Sequence, residues 1–293
     1  MKFHETLFIG YSFKKLFLYF LFTKYFRFKY FLTYVLPNKK EFLKTKKLMN
    51  SKIGKKAFVF GNGPSMNQLD PEKISKLVQN DNYEVIALNS FMYSNFAKYI
   101  KPSYMLFSDP LDFIKVDESH PRLKRAISGK QDKKLAIKNN IPLIIPIQFY
   151  DYAKEKHGKV YFFNDCPDYF SSEINLLKPR PFKAWTGMKA ISSAIYMGYS
   201  EIYICGFDYN HFAQNVVDED NKIINELDHF YVSKDRPNYV RETNVTFGEH
   251  LYDCSLTFIQ HEKFKHKNII NLNKKSFIDC FPKNKKLDIY LTK

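Results

Sequence analysis

Short apolar runs of strand type recur from residue 56 onward, and most end at glycine or at small polar residues. Runs of this length and composition are typical of strands buried in a sheet. Other segments carry apolar residues at helical spacing, as Ala190, Ile191, Ala194 and Ile195 do. The predicted strands are 56–60, 83–88, 104–107, 142–147, 160–163, 201–205 and 268–272, and the predicted helices are 71–79, 187–197, 250–261 and 276–281.

The alternation of strands and helices predicts an α/β protein with a Rossmann-like, mainly parallel sheet and helices on both faces. Asp70 and Pro71 suit the N-cap and the first position of the first helix. The chain of 293 residues has room for one large domain and an attachment. We predict a basic, helical N-terminal arm over 1–50 and a Rossmann-like domain over 51–293, with a lid region at about 212–249.

The predicted arm combines aromatic residues with a net charge of +9, from eleven Lys and Arg against two Glu (11 − 2). Its uncharged runs contain no more than nine residues, short of the roughly 20 needed to span a bilayer. Aromatic rings interleaved with cations suit an anionic membrane surface, so we predict peripheral membrane contact. A helical extension packed on the domain, or a partner-binding arm, also fits. Pro37 and the basic run 39–47 are interpreted as a linker.

The whole chain is basic, with a net charge of +16. This balance indicates an anionic partner: nucleic acid, an anionic membrane or a phosphorylated small molecule. The cations match no nucleic-acid module, so nucleic acid is not expected. Frequent Lys and aromatic residues are also typical of AT-rich genomes. The four cysteines have neither CxxC nor metal-ligand spacing, which favours reduced thiols in a cytoplasm.

Small and polar residues follow four of the predicted strands. They are Gly61-Asn62-Gly63-Pro64-Ser65, Asn89-Ser90, Ser108-Asp109 and Gly206-Phe207-Asp208. Ligands of open α/β sheets bind at the carboxyl ends of the strands, so we predict a binding site there. Glycines in the first loop would let a phosphate approach the backbone, although a plain strand–helix turn uses glycine too. The loop matches neither the GxGxxG fingerprint nor a Walker loop.

Further candidates lie toward the C-terminus. Thr186-Gly187 opens a helix and suits a phosphate, or Thr186 is simply its N-cap. Asp218-Glu219-Asp220 has the form of a metal-binding DxD, but its polar surroundings favour a solvated turn. A sugar transferase needs a base for the acceptor hydroxyl, usually a histidine. The histidines considered are His211, His229, His250 and His261.

Four blocks of the chain resemble the bacterial sialyltransferases of glycosyltransferase family 42 and the related MptE-like proteins of polysaccharide loci. They are Phe-Val-Phe-Gly-Asn-Gly-Pro-Ser-Met at 58–66, Ala-Leu-Asn-Ser-Phe at 87–91, the stretch 186–208 and Ile-Asn-Leu-Asn-Lys-Lys-Ser at 270–276. The resemblance covers about 55–282. It implies that Asn62 meets the phosphate of a nucleotide sugar, that Asn89 serves the donor or the acceptor, and that Thr186-Gly187 matches a Ser-Gly pair at the donor site.

The same resemblance implies a histidine base at the start of the last long helix. An ungapped alignment with the family places this histidine at Glu249, one residue before His250. A shift of the alignment by one residue makes His250 the first candidate for the base, and His229 is the second. Asp109 stands where the family has Asn, and Asn210 stands where it has one of two tyrosines that stabilise the leaving phosphate. His211, Tyr231 and Tyr239 remain alternatives for that last role.

These features predict an inverting glycosyltransferase that moves a sialic-acid-like sugar from a CMP-type donor to a surface glycan such as lipopolysaccharide. The expected nucleotide-sugar site comprises Gly61, Asn62, Gly63, Ser65, Asn89, Ser90, Asp109, Thr186, Gly187, Asp208, Asn210 and His211. We expect that no cofactor is required, although use of a divalent cation stays open, and no metal ligands are assigned. The expected location is the bacterial cytoplasm, peripheral at the inner membrane. The alternative enzyme is an MptE-like pterin diphosphokinase that uses ATP and Mg²⁺, and a binding protein whose arm attaches to nucleic acid is a third possibility.

Overall fold

A parallel sheet forms the centre of the computed structural model, which describes residues 13–80, 82–115, 117, 123–153, 159–221, 223–227, 239–243, 246–284, 287 and 290–292. Within those residues, seven strands pair in parallel throughout. They are β1 (Lys56–Phe60), β2 (Tyr83–Leu88), β3 (Tyr104–Leu106), β4 (Leu143–Pro146), β5 (Val160–Phe163), β6 (Glu201–Cys205) and β10 (Ile269–Asn271). Three further strands are β7 (Asn215–Val217), β8 (Ile223–Leu227) and β9 (Tyr239–Thr243).

The order of the parallel strands is β10-β6-β1-β2-β3-β4-β5. Strands β2 to β5 therefore follow β1 to one side, whereas β6 and β10 lie on its other side. This reversal between β1 and β6 is a topological switch point, and open α/β sheets bind ligands at such points, beyond the carboxyl ends of the strands. The predicted Rossmann-like α/β fold is confirmed, and the switch point identifies the part of the sheet edge that can hold a ligand.

Helices cover both faces of the sheet. They are α1 (Phe13–Tyr30), α2 (Lys39–Leu43), α3 (Pro71–Gln79), α4 (Phe96–Tyr99), α5 (Leu123–Lys138), α6 (Tyr150–Ala153), α7 (Thr186–Met197) and α8 (Phe247–His261). Alternate residues of a strand face opposite sides. Accordingly, Phe58 of β1 packs in one core with Ile74 of α3, and Val59 packs in the other with Ile191 of α7. Burial on both faces explains why these strands are continuously apolar.

One of the predicted helices, 71–79, is confirmed, whereas another, 276–281, is not. Helix α3 has its predicted bounds, and the Asp70 carboxylate accepts hydrogen bonds from the amides of Glu72 and Lys73. The predicted helix 276–281 is wrong, since the segment has no helical turn. There the Ser276 hydroxyl accepts from the amide of Ile278 at 3.2 Å. Side chains that bond nearby backbone groups in this way favour turns over helix.

The segment predicted as a linker, 39–47, is instead part of the packed structure. Phe42 and Leu48 are buried, and Thr45 is fully buried against the edge strand β5. The Thr45 hydroxyl donates to the carbonyl of Phe162 at 2.8 Å and accepts from its amide at 2.9 Å. Thr45 thus satisfies both backbone groups of one residue on the open side of β5. The division of the chain at residue 50 stays a prediction.

Helix α1 is attached to the rest of the molecule by polar and aromatic contacts. The Arg27 guanidinium pairs with Asp168, the Tyr30 hydroxyl donates to Gln148, and Phe20 meets Phe170 edge to face. Among the described helices, none combines the length and apolar character needed to cross a bilayer. The segment is therefore a helical extension that contacts the domain, which leaves its predicted membrane contact to be tested.

The predicted lid region, 212–249, includes a small antiparallel sheet of β7, β8 and β9. Ile223 is buried, whereas Val216 is 63% exposed. Asp218-Glu219-Asp220 lies at the turn between β7 and β8, where the Asp218 carboxylate accepts from the amide of Asp220 at 3.0 Å. The solvated-turn interpretation is confirmed. Residues 244–245 and 228–238 lie outside the described residues, so lid movement remains a prediction.

Candidate functional site

The loops that follow β1 and β6 meet directly at the switch point. The Gly61 amide donates to the Cys205 carbonyl at 2.7 Å, and the Gly63 amide donates to the Gly206 carbonyl at 2.9 Å. Parallel strands end at the same edge of the sheet, which brings the two loops together although about 140 residues separate them in sequence. The loops form one continuous wall of the candidate site.

Glycine is required in both loops by their close approach. A Cβ at Gly61 would lie 2.4 Å from the Gly206 carbonyl oxygen, and a Cβ at Gly63 would lie 1.8 Å from Oδ2 of Asp208. Gly206 itself has a φ of +72°, a conformation that side chains other than glycine rarely adopt. These contacts account for the glycines without a ligand, so the glycine pattern by itself does not demonstrate a phosphate site.

Asp208 connects three segments of the chain. Its Oδ2 accepts from the Ser65 hydroxyl at 2.9 Å, and its Oδ1 accepts from the Asn273 amide at 2.9 Å. Burial raises the pKa of the Asp208 carboxyl above its usual value, while the bonds from Ser65 and Asn273 oppose that shift. The backbone amides of Ser65 and of Asp208 itself also donate to this carboxylate. Two carboxylate oxygens offer about four acceptor positions, so these four bonds account for them and Asp208 holds the loops together.

The N-terminus of α7 lies beside this wall. Its N-cap residue, Trp185, makes no side-chain hydrogen bond to the helix. The Thr186 hydroxyl is 3.0 Å from the Ser108 hydroxyl in the loop after β3. A Cβ at Gly187 would lie 2.6 Å from Cε1 of Phe207. Thr186 is therefore the first helical residue and not the N-cap, and its hydroxyl faces the end of a neighbouring strand.

Asn89 follows β2 in a left-handed conformation, with a φ of +39°. Its Oδ1 is buried and has no hydrogen-bond partner among the described residues. Leaving a buried acceptor unpaired costs about 1–3 kcal/mol, and strained backbone is concentrated at functional sites. The next residue, Ser90, is 1% exposed and packed inside. Asn89 thus offers a ready acceptor at the carboxyl edge, whereas Ser90 has little surface to present.

The Asp109 carboxylate caps the turn that follows β3. Its Oδ1 accepts from the amide of Leu111 at 3.0 Å and caps the short 3-10 turn Pro110–Asp112. Asp109 also raises the pKa of the buried Lys189 ammonium electrostatically, although burial has the larger effect and lowers that pKa overall. The carboxylate is therefore close to the α7 side of the site and partly committed to its own loop.

Tyr209 lies at the centre of an aromatic group between α7 and α8. Its ring stacks near Phe207 with centroids 6.2 Å apart, tilts against Trp185 at 5.8 Å, and meets the edge of His261 at 4.8 Å. A Cβ at Gly187 would lie 3.3 Å from the Tyr209 hydroxyl. The hydroxyl is consequently next to the N-terminus of α7, and burial raises its pKa. It remains a neutral hydrogen-bonding group at neutral pH.

His250 lies near the start of helix α8. Residues 250, 254, 257 and 261 are three or four apart and share one face, on which Cys254, Thr257 and His261 are buried. His250 is partly exposed, and its Nε2 lies 3.6 Å from the Cys254 sulfur.

A contact between α8 and residue 183 brings this helix to the start of α7. Lys183 pairs with Asp253, and its amide donates to Oε1 of Gln260 at 2.7 Å. Burial lowers the pKa of the Lys183 ammonium. Because Lys183 precedes the N-terminus of α7 by three residues, the pair holds the His250-bearing helix beside the candidate site.

Comparison with known proteins gives matches to structures alone. No protein-family model matches the chain, and no curated protein matches it. The structure of the MAf glycosyltransferase from Magnetospirillum magneticum AMB-1 is similar, with a TM-score of 0.45 and 14% identity, over 87% of this chain and 39% of that one. The sialyltransferase CstII from Campylobacter jejuni, in complex with the substrate analogue cytidine-5'-monophosphate, gives 0.42 and 14% over 82% and 88%.

These structural neighbours are a glycosyltransferase and a sialyltransferase by name, and TM-scores below 0.5 support no conclusion about this chain. The chain spans 39% of the length of the first of them. A proposal about function must therefore rest on the chain's own residues and not on these neighbours.

The structure brings most of the predicted site residues to one region. Gly61, Gly63, Ser65 and Asp208 are in mutual contact, and Thr186 and Gly187 lie beside them. Asn62 is in the same loop, and Asn210 begins the 3-10 turn His211–Gln214. His229 and the side chain of His211 lie outside the described residues. Nothing in the structure tests the role of any of these residues, so all remain predictions.

The expected nucleotide-sugar site leaves out four residues that the structure adds: Ser108, Lys183, Tyr209 and Asn273. Ser108 is among the polar residues that follow the predicted strands, yet it is not part of the expected site. Asn273 lies in the block 270–276, and Tyr209 follows directly after Asp208, so both had a local signal. Their partners are distant in sequence: Asn273 bonds Asp208 across 65 positions. Within the described residues, no cluster of His, Cys, Asp and Glu is arranged to hold a metal ion.

Proposed function

We propose that the protein is a glycosyltransferase whose nucleotide-sugar donor binds at the carboxyl edge of the sheet, across the switch point. One observation carries the proposal: the loops after β1, β3 and β6 and the N-terminus of α7 converge there, through the Ser65–Asp208 and Ser108–Thr186 contacts. Open α/β sheets bind nucleotides at such points. The sequence blocks at 58–66 and 186–208 support the choice of a sugar nucleotide.

The donor's phosphate group is assigned to the N-terminus of α7. The first amides of a helix have no partners within it, and the aligned peptide dipoles favour an anion there. Trp185 supplies no side-chain cap, and the hydroxyls of Thr186 and Tyr209 lie beside that terminus. Neutral hydroxyl donors would stabilise the departing phosphate as charge builds on it.

The nucleoside is assigned to the ends of β1 and β2. The unpaired Oδ1 of Asn89 would accept from an amino or hydroxyl group of the nucleoside. Asp208 would keep the loops beside the nucleoside in place through its bonds to Ser65 and Asn273, with Asn62 in the adjacent loop. A CMP-type donor that carries an acidic, sialic-acid-like sugar is our specific proposal, and it rests on the sequence blocks.

His250 is the proposed general base. A partly exposed imidazole on α8 can take the proton from an acceptor hydroxyl as that oxygen attacks the anomeric carbon from the side opposite the leaving nucleotide. The sugar's bond to the nucleotide phosphate breaks as the new glycosidic bond forms, which inverts the anomeric centre. The proposed acceptor is a surface glycan such as lipopolysaccharide. His229 is the second candidate for the base.

Nucleotide binding is tested by thermal shift of the full chain with CMP, CDP and ATP. We expect CMP or CDP to raise the melting temperature and ATP with Mg²⁺ to leave it unchanged, since a ligand of the folded state stabilises it. Asn89→Gly removes the amide yet permits the left-handed backbone, and should abolish the shift. Asn140→Gly, at an exposed Asn with a φ of +55°, is the matched control.

Chemistry is tested by nucleotide release in the presence of a glycan acceptor. His250→Ala should lower CMP release by about a hundredfold or more, the usual contribution of a general base. His266→Ala, at an exposed histidine, should leave it unchanged. AMP release from ATP with Mg²⁺ and a pterin would instead establish the diphosphokinase. If the His250→Ala variant released CMP at the rate of the wild-type protein, His250 would not be the base. Addition of EDTA tests the expected independence from a divalent cation.

A further inference from the structure

Helix α1 and the turn that follows it expose an unusual amount of apolar surface. Phe22, Tyr25 and Phe28 are each more than 60% exposed. The other large apolar residues of this surface with at least a third of their area exposed are Phe17, Leu18, Phe20, Leu21, Phe26, Phe31, Leu32, Tyr34 and Leu36. A contiguous patch of this kind on a protein surface marks an interaction site.

A groove lies between α1 and the body of the protein, beneath this apolar surface. Its volume is about 450 Å³. Lys24, Arg27 and Lys39 line it together with apolar side chains that include Phe28, Phe31 and Phe42, and no acidic side chain of the described residues is part of the lining. The groove thus combines an apolar floor with cations, which is the pattern that an amphiphilic anion requires.

Residues on both sides of the groove are anchored to the rest of the protein. Tyr30, Val35 and Phe42 belong to the hydrophobic core of the domain. Arg27 pairs with Asp168 at one side. The exposed side chains are therefore presented by a segment that is packed on the domain through its other residues.

Charge selects between the possible occupants of this surface. Residues 13–50 contain ten Lys and Arg and one Glu, a balance of +9 (10 − 1). A second copy of the chain would bring an equally basic surface and be repelled. An anionic bilayer complements both the charge and the apolar surface, since its headgroups attract the cations and its acyl region accepts the aromatic rings.

We propose that the face formed by α1 and this groove docks on an anionic bilayer, with a lipid phosphate between Lys24 and Lys39 and the exposed aromatic side chains inserted at headgroup depth. The interaction is peripheral. It is independent of the proposed glycosyl transfer, because binding to lipid requires neither donor nor acceptor.

The test is co-sedimentation of the full chain with vesicles of phosphatidylcholine, alone or mixed with phosphatidylglycerol. We expect binding to the mixed vesicles that weakens as salt is added. Lys24→Glu with Lys39→Glu should weaken it by more than about tenfold, since each basic residue near an anionic surface contributes substantially. Phe22→Ser with Tyr25→Ser should weaken it while leaving the salt dependence in place. The matched control, Lys134→Glu with Lys138→Glu on exposed positions of α5, should bind like the wild type.

Three outcomes would overturn the proposal. Equal binding of the wild type and the Lys24/Lys39 variant to mixed vesicles would show that the groove is not involved. Binding of soluble glycerol phosphate that competes fully with the vesicles would identify a small-anion site. A concentration-dependent dimer in sedimentation velocity that Phe22→Ser abolishes would assign the apolar surface to a second copy. Circular dichroism confirms that each variant is folded before binding is measured.

Discussion

At the scale of single residues, Gly63 illustrates how tightly the two loops of the candidate site are joined. We expect Gly63→Ala to lower the free energy of unfolding by about 2 to 4 kcal/mol, because the new methyl group displaces Asp208 and breaks its bonds to Ser65 and Asn273. Urea denaturation measures the change.

Gly248→Ala is the matched control for that substitution. Gly248 lies in the first turn of α8 with nothing within 4 Å of an added Cβ. Alanine should leave stability unchanged or raise it by up to about 1 kcal/mol. A Gly63→Ala protein as stable as the wild type would mean that the loops are further apart than the structure shows.

His261 is expected to make the fold sensitive to acid. It is fully buried, its Nδ1 donates to the Thr257 carbonyl at 2.7 Å, and burial lowers the pKa of its imidazole from 6.5 to about 4. The unfolded chain therefore binds a proton at this residue between those pH values, whereas the folded protein does not. Its contribution to the free energy of unfolding is consequently lost as pH falls, by about 2 kcal/mol between pH 7 and 5.

Urea denaturation of wild type and His261→Gln at pH 7 and pH 5 isolates this effect. All other titrating groups are common to both proteins, so the difference between their pH dependences belongs to His261. We expect the variant to lose about 2 kcal/mol less than the wild type over this interval. Parallel pH dependences would contradict the assignment of a neutral, buried imidazole.

At the scale of elements, the contact between Thr45 and β5 is expected to contribute to the stability of the sheet edge. Thr45→Val keeps the shape of the side chain but leaves the buried amide and carbonyl of Phe162 without the partner that Thr45 supplies. The free energy of unfolding should fall by about 1–3 kcal/mol. Ser200→Ala, which removes an exposed bond to the Lys55 carbonyl, should change it by much less. Equal effects would show that Thr45 is dispensable to the edge.

The bounds of the buried strands could be predicted from the sequence, whereas some of the helices could not. Strands β1, β2, β5 and β6 have their predicted bounds, since a strand buried on both faces must be continuously apolar. Helix α5 was not predicted because its sequence is rich in Lys and has no clear apolar stripe. The segment 39–47 looks like a linker for a similar reason: its burial depends on Phe42, Thr45 and the distant strand β5, and basic residues surround them.

At the scale of the whole molecule, the strand order predicts a gradient of local stability. β1 pairs with β2 on one side and β6 on the other, whereas β10 pairs along its length with β6 and, among the described residues, forms one further bridge between Asn271 and Lys283. Amides that open only when the whole sheet unfolds exchange most slowly. We expect hydrogen exchange followed by mass spectrometry to give the slowest exchange in β1 and faster exchange in β10. Equal protection of the two strands would contradict a core centred on β1.

The candidate site could be predicted from the sequence only in outline. Polar residues after β1, β2, β3 and β6 indicate the carboxyl edge of the sheet as the place of the site, because parallel strands present their carboxyl ends together. The bonds that assemble the site, such as Asn273 to Asp208 and Lys183 to Asp253, join segments whose proximity depends on the order of strands and on the docking of α8. Neither periodicity nor local spacing contains that information.

The hydrogen bonds of Thr45 to Phe162 have a consequence for any shortened form of this protein. A chain that begins after residue 48 would retain all seven parallel strands, yet on the outer side of β5 the amide and carbonyl of Phe162 would lose the partner that Thr45 supplies. An uncovered strand of apolar residues is a template for pairing with the same strand of another molecule. Shortened forms intended to remove the aromatic, basic N-terminal helix should therefore keep residues 39–48, or they will tend toward aggregation through β5.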